Sequence, residues 1–435
     1  MGRERDDEDE QEQERKEAGG AHDANMWQPY CIARSTDVAA GSQRLEARRQ
    51  AVSFGAATWK GIERDMMARR WLKALVSGLA LGLSVTVADP AAAQNKELRI
   101  YNWSDYVDPE VLDAFKKETG ITVVYDTFDQ METVETKLLA GKTGYDLIVV
   151  TASFLPRHIP LGLYAPIDAA KVPNLKNAWP EIQGRLAKYD PGNKHAVNYM
   201  WGTTGIGYNV AKIKERLGTD AVIDSWKILF DPDQLKKLSN CGVHVLDAVE
   251  EMFPAALRYL GLNPDSKAEA DLNKAGELLR KIRPHIQKFH SSEYINALAN
   301  GDICLAVGYS GDILQAKKRA EEAKNKVEIA YSIPKEGALM WFDSFVIPKD
   351  AANPDAALAF IDFVNRPAMA AKNSDFIQYA NGNIASKPLL SAAVRDNPGI
   401  YPPDAVMARL YTITPYDQKS QRLVNRLWTR VKTGK

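Results

Sequence analysis

From Leu98 onward the chain alternates short apolar runs with segments of helical period, and this alternation limits the possible folds more than any other feature. Leu98 to Trp103 reads as a strand, and Pro109 to Thr119 as a helix with Val111, Leu112 and Phe115 on one face. Gly120 is placed to stop that helix. Ile121 to Tyr125 is a second strand, Thr133 to Ala140 a second helix ended by Gly141, and Tyr145 to Val150 a buried strand. Strands separated by helices of this length pair in parallel through right-handed crossovers, so the fold class is α/β.

Near residue 200 the pattern restarts. Tyr199 to Asn209 is rich in aromatic residues and glycine, and suits a chain passing between two lobes, with Gly205 and Gly207 permitting close backbone approach. Helices are expected near 233–239, 250–260, 268–283 and 292–300, with strands at 242–246 and 303–307. Further strands fall at 327–333 and 338–347, and helices at 354–364, 405–410 and 422–432. The roughly 340 residues after 93 exceed one small core and fit two α/β lobes. The division expected is 94–200 with 340–387 as one lobe and 201–339 with 388–435 as the other, the last crossing falling near Ala385 to Pro388.

The N-terminal part has a separate character. Arg69, Arg70 and Lys73 precede an uncharged apolar run from Ala74 to Ala88, and Ala91 to Ala93 offers a cleavage point before Gln94. Residues 66–93 therefore read as a secretory signal. With its Gly and Ser discounted, the run falls well short of the ~20 apolar residues of a spanning helix. Residues 1–65, which open with an acidic tract, are expected to be either the product of a mis-assigned start or a disordered extension, with translation beginning at Met66 or Met67. Of the 56 basic and 56 acidic residues, the first 65 positions hold 10 and 14 and the signal 3 and 1. The remainder carries 43 against 41, a net charge near +2 with no basic face, which argues against a nucleic-acid partner. Cys241 and Cys304 remain after export. In an oxidising compartment they form either a disulfide, the favoured reading, or two buried thiols. No Cys-x-x-Cys pair or His cluster supports a metal site, and no cofactor motif is present.

Acidic and aromatic residues recur where strands end or helices begin: Trp103-Ser-Asp-Tyr106, Asp247-Ala-Val-Glu-Glu251, Gly308-Tyr-Ser-Gly-Asp312, Trp341-Phe-Asp343 and Gln378-Tyr379. Each has a plain structural reading. Asp247, Glu251 or Asp312 could cap or favour a helix start, and Trp103, Tyr309 and Trp341 could be core aromatics. Together they suggest one cleft, because open α/β sheets place ligands where strands end. Aromatic faces attract ammonium groups and pack methylenes, and buried ammonium groups need carboxylates. A linear diamine asks for anions at both ends and an aromatic sleeve between.

Several segments carry a specific resemblance. Tyr101-Asn-Trp-Ser-Asp-Tyr106, Tyr199 to Asn209, Phe289-His-Ser-Ser-Glu-Tyr-Ile-Asn296, Leu298-Ala-Asn-Gly-Asp-Ile-Cys304, Ser332-Ile-Pro-Lys-Glu-Gly337 and Asn397-Pro-Gly-Ile-Tyr-Pro-Pro403 resemble the periplasmic polyamine-binding proteins, particularly the putrescine-binding branch. The similarity spans residues 96–435, including Arg430-Val-Lys-Thr-Gly-Lys435. It implies a hinged, two-lobed periplasmic binding protein that acts as a monomer and hands a polyamine to the permease of an ABC transporter. By position, Trp103, Ser104, Asp105 and Tyr106 would form one wall of the ligand slot. Glu251 and Asp312 would be acidic contributions from the second lobe, with Ser291 beside them. Asp343 would anchor a terminal ammonium, and Tyr379 would form another wall. Thr151, Tyr309 and Trp341 stand where those relatives carry Ser, Trp and Phe. These exchanges keep the chemistry but alter the width and length of the slot, leaving putrescine, spermidine or both as ligand.

Two other classes of function bear on the same residues. A polyamine sensor signalling through a membrane receptor needs the same cleft. A hydrolytic enzyme has less behind it: Gly308-Tyr-Ser-Gly311 lacks the spacing of a nucleophile elbow. Thr136 stands where a phosphate loop ending at Gly141-Lys-Thr143 needs its first Gly. His290 next to Ser291 and Ser292 reads as helix capping by a serine rather than catalysis.

Overall fold

Residues 97–435 are described in a computed structural model; the expected extension (1–65) and secretory signal (66–93) lie outside the described residues. The first elements follow the sequence pattern: β1 (Glu97–Trp103), α1 (Pro109–Thr119), β2 (Thr122–Phe128), α2 (Met131–Ala140) and β3 (Leu147–Thr151). β1 pairs in parallel with both β2 and β3. Asp108 caps α1 by accepting a hydrogen bond from the Glu110 amide, Pro109 opens the helix, and Gly120 ends it in the left-handed region. In β3, Leu147 and Val149 enter one hydrophobic core while Ile148 and Val150 enter another. An unbroken apolar run thereby fills both faces of the sheet.

Of the remaining strands, those of three residues or more are β4 (Ala196–Asn209), β5 (Val243–Val245), β6 (Leu305–Tyr309), β7 (Ile329–Ser332) and β8 (Met340–Pro348). The helices that matter to the site are α3 (Val249–Tyr259), α4 (Tyr294–Ala299), α5 (Ser310–Ala323), α6 (Pro354–Val364), α7 (Pro367–Ile377) and α8 (Gln418–Thr433). Strand order is β2-β1-β3-β8-β4-β6-β5, with Lys288–Phe289 beside β5. β4 serves both lobes. Its first half lies antiparallel to β8, and from Thr204 to Asn209 it lies antiparallel to β6 and β7. The glycines of this strand allow the approach. A Cβ on Gly205 would sit 2.5 Å from the Ser332 carbonyl oxygen, and one on Gly207 would collide with Ile313.

The first lobe holds the two cores on either face of its sheet, and the second has its own around Trp226, Phe253, Val307 and Trp428. The last crossing differs from the expected one. Leu390, Val394, Ile400 and Leu410 still pack in a first-lobe core with Tyr101 and Ile148, so the chain does not leave that lobe near residue 388. Tyr189 donates a hydrogen bond to the Ile413 carbonyl at 2.9 Å and holds the segment there. Only with α8 do Leu423, Val424 and Trp428 join the second core. The irregular spacing of the apolar residues between 390 and 410 carries no periodic signal from which this packing could be read. Cys241 and Cys304 are bonded, with Cα atoms 5.5 Å apart, tying the segment before β5 to the one before β6. Among the described residues, no helix is long and apolar enough to cross a membrane.

Candidate ligand-binding site

The turn after β1 is built by Asn102. Its Oδ1 accepts from the Trp103 amide at 2.8 Å and its Nδ2 donates to the Tyr106 carbonyl at 3.4 Å. Within this turn Asp105 takes a left-handed φ of 56°. Its carboxylate lies 3.1 Å from Arg319 of α5 and is exposed. Trp103, Ser104 and Tyr106 face the other way, into a cavity.

Asp343 lies on β8 two residues after Trp341, on the same face, beside a register slip in the pairing with β4. Asp343 and Ser344 of β8 face Met200 and Asn198 of β4, leaving Tyr199 without a partner. This bulge sends Tyr199 and Met200, neighbours in sequence, into the same core. Asn198 satisfies the backbone there, donating to the carbonyls of Met200 and Asp343 at 3.1 and 3.2 Å. Across the β3–β8 pair the Thr151 hydroxyl donates to Asp343 Oδ1 at 2.8 Å.

The second lobe supplies its carboxylates from two helix starts. Glu251 lies in the first turn of α3 and accepts from the Thr204 hydroxyl at 2.5 Å. Asp312 lies in the first turn of α5; it is not the N-cap expected from the sequence, a position Tyr309 takes. Its two oxygens accept from the hydroxyls of Tyr294 at 2.7 Å and Tyr379 at 2.6 Å. Tyr379 belongs to a first-lobe core, so this bond crosses between the lobes. Gly311 makes the contact possible, because a Cβ there would collide with the Tyr379 ring. Asp247 caps nothing: it accepts from Trp428 Nε1 at 2.8 Å and from Lys432 Nζ at 2.9 Å. At α4 the N-cap is Glu293, not a serine, and no side chain caps it; in the turn before it His290 Nδ1 accepts from the amides of Ser292 and Glu293.

One cleft is lined by Trp103, Ser104, Tyr106, Thr151, Glu251, Ser291, Tyr309, Asp312, Trp341, Asp343 and Tyr379. Of the residues that the resemblance assigns to the slot, only Asp105 lies outside it; Asp247, singled out among the acidic groups, is outside it too. Asp129, Ser292 and Ile295 line it as well and escaped the sequence reading. Asp129 follows the end of β2, but the strand was expected to stop at Tyr125, which hid its place at a strand end. Edge-to-face contacts link Tyr309 to Trp341 (5.6 Å), Trp341 to Tyr379 (5.4 Å) and Tyr379 to Tyr106 (5.1 Å), so flat rings run through the cavity.

Its electrostatics are unusual. Burial pushes Glu251 up to about 8, with Thr204 opposing and Glu250 and Asp343 adding to the rise. Burial also pushes Asp343 up to about 7, against the stabilising Thr151 and Tyr106 hydroxyls and with the Asp312 charge adding to it. Asp312 rises to about 6, again by burial, its two tyrosines holding it down. Glu251 and Asp343 are 7% and 5% exposed. Buried carboxylates ordinarily have a cationic partner. Hydroxyl groups are the hydrogen-bond partners of all three here, and none forms an ion pair among the described residues. The described residues also contain no His, Cys, Asp and Glu cluster fit for a metal ion.

An α/β molecule of two lobes, with carboxylates and aromatic rings from both meeting in one cavity, has the form of a solute-binding protein and not of an enzyme. The chain belongs to the bacterial extracellular solute-binding protein family, whose model matches residues 110–402. It is 52% identical over 370 residues to a putrescine-binding periplasmic protein of Pseudomonas aeruginosa (strain UCBPP-PA14), covering 85% of this chain and all of that one. It is also 52% identical over 368 residues to a putrescine-binding periplasmic protein of Escherichia coli (strain K12), covering 84% and 99%. Among solved structures, a spermidine/putrescine ABC transporter substrate-binding protein from Streptococcus pneumoniae matches with a TM-score of 0.65 at 30% identity. That match covers 78% of this chain and 99% of the other.

Proposed function

We propose that this protein captures a polyamine in the periplasm and delivers it to the permease of an ABC transporter. One observation carries the reading: three carboxylates drawn from both lobes, Glu251 and Asp343 buried and Asp312 half-buried, surround a sleeve of aromatic rings and form no ion pair among the described residues. A linear diammonium ligand supplies the missing positive charge at each end and apolar methylenes for the rings. In this reading Asp343 holds one ammonium. Glu251 and Asp312 hold the other end from the second lobe, and Trp103, Tyr106, Trp341 and Tyr379 form the walls. The names of the two relatives at 52% identity point to the same ligand class. Their periplasmic location agrees with a bonded Cys241 and Cys304, since disulfides persist in oxidising compartments. The lobes close by hinge motion where β4 passes from one to the other, and the closed form is what the permease reads.

Calorimetric titration of the purified protein with putrescine, cadaverine and spermidine tests the proposal, with 1,4-butanediol as the uncharged control. Saturable binding of at least one polyamine and none of the diol is expected. Absence of heat with every amine sinks the assignment.

A further inference from the structure

The segments that pass between the lobes lie side by side. In β4, Thr203 pairs with Met340 of the first-lobe sheet, and Thr204 with Tyr309 of the second. The Thr204 amide donates to the Leu339 carbonyl at 3.1 Å, where the chain re-enters the first lobe ahead of β8. Leu339 in turn bridges to Tyr411, which precedes the last crossing. The pivot is a set of backbone segments bonded across one another, with Thr204 on its second-lobe side.

This pivot reaches the ligand slot directly. Gly202 and Thr204 share one face of β4, because side chains alternate along a strand. A Cβ on Gly202 would collide with the Trp341 ring, so that ring lies on the strand itself. Two residues on, the Thr204 hydroxyl donates to Glu251 Oε2 at 2.5 Å. Thr203, on the opposite face, bonds the Tyr331 hydroxyl at 2.7 Å instead. Thr204 is 1% exposed and does not line the cleft, whereas Glu251 does, and Glu251 Oε1 accepts no hydrogen bond among the described residues.

The neighbours of Glu251 leave the threonine a distinct task. Burial and the charges of Glu250, on the same helix, and Asp343, on β8, oppose ionisation of Glu251; the Thr204 hydroxyl favours it. Asp129 and Glu132 of the first lobe line the adjoining part of the cleft, as does Asp247, which is bonded to Lys432. The remaining groups are phenols: Tyr309 on β6, Tyr331 on β7 and Tyr411. Each is raised above the usual tyrosine range by burial, and further by the Glu251 charge. No cation among the described residues pairs with Glu251.

We propose that Thr204 is a positioning residue: from the pivot between the lobes, its hydroxyl fixes the Glu251 carboxylate in the orientation and charge form that receive a ligand ammonium. The inference rests on the polyamine reading above and adds to it a residue that touches no ligand. A hydroxyl bonds a charged oxygen more strongly than a neutral one. Ionisation of Glu251 on ligand binding therefore tightens α3 onto the strand about which the lobes turn.

The test titrates putrescine calorimetrically at pH 7 and pH 9 into wild type, Thr204→Val, which keeps the shape and loses the hydroxyl, and Thr204→Ser, which keeps the hydroxyl. Without the donor, free Glu251 resists ionisation further, while in the complex the ammonium holds it ionised. The deficit is this extra work of ionisation, so it is present at pH 7 and fades where the free group is already charged. Thr204→Val should bind roughly tenfold more weakly than wild type at pH 7 and within about twofold at pH 9. Thr204→Ser should stay within about twofold at both. Thr204→Ala repeats the comparison should the valine variant not fold. Equal deficits at the two pH values, no deficit at either, or a serine variant that behaves as the valine one overturn the inference and leave the polyamine reading intact. Failure of wild type to bind any polyamine overturns both.

Discussion

Replacing Asp343 by Asn should move stability and binding in opposite directions. In the ligand-free protein Asp343 is 5% exposed and its carboxyl is pushed from 3.8 up to about 7. The sign follows from proton counting. Below 3.8 the group is protonated whether the chain is folded or not, so it costs nothing. As pH rises toward 7 the unfolded chain ionises while the folded one resists, and stability falls; above 7 the penalty is complete. A displacement of about 3 pH units at 1.36 kcal/mol each sets a ceiling of ~4 kcal/mol. Asn is nearly isosteric and its Oδ1 still accepts from Thr151. The ligand-free variant should therefore unfold at a higher denaturant concentration than wild type at pH 8, with the advantage shrinking toward pH 4. Binding should suffer in turn, because the ammonium loses its buried partner. That loss is worth ~2–5 kcal/mol, or roughly 30- to 4,000-fold in Kd. Urea unfolding at both pH values, paired with calorimetric titration of putrescine, reads both effects. A variant that is less stable at pH 8 and binds putrescine as wild type does would refute this account of Asp343.

Glu251, Asp343 and Asp312 are raised to about 8, 7 and 6. A dication binds their ionised forms, so affinity should climb between pH 6 and 8 with release of about one to two protons near pH 7; titrations in buffers of different ionisation enthalpy measure the release, and heats that do not vary with buffer refute it. Gly311→Ala drives a methyl into the Tyr379 ring and should cost ~1–3 kcal/mol of ligand affinity through the strained interlobe contact, with unchanged affinity counting against that contact. Replacing Cys241 and Cys304 together by Ser removes a crosslink between residues 63 apart in sequence. It should lower unfolding stability by ~2–4 kcal/mol with little change in putrescine affinity, as measured by denaturation and titration; equal stability would mean that the bond constrains nothing.

The chain's local order was legible without coordinates. Helix Pro109–Thr119 and helix Pro354–Val364 have the bounds their periodicity predicts, because apolar spacing, an opening proline and, after the first, a terminal glycine are contained within a few turns of chain. The alternation of β1, α1, β2, α2 and β3 fixed parallel pairing for a similar reason: a helix between strands leaves few other ways to connect them. The polar and aromatic residues at strand ends and helix starts were visible too, as candidates with no proof that they meet.

Which candidates meet was decided by tertiary structure. Asp105 sits between Ser104 and Tyr106, yet a left-handed backbone turns its carboxylate out to Arg319. The groups that bind Asp343, the Thr151 hydroxyl and the Asn198 side-chain amide, lie more than a hundred residues earlier in the chain. Packing of residues 390–410 onto the first lobe rests on apolar side chains with no period to betray it. The charge state of the site could not have been read from residue types, since the rise of Glu251, Asp312 and Asp343 comes from burial produced by two lobes folding over them. Periodicity and capping act over neighbouring residues and are written in their order. Convergence and desolvation arise only when distant segments share a volume from which water has been removed.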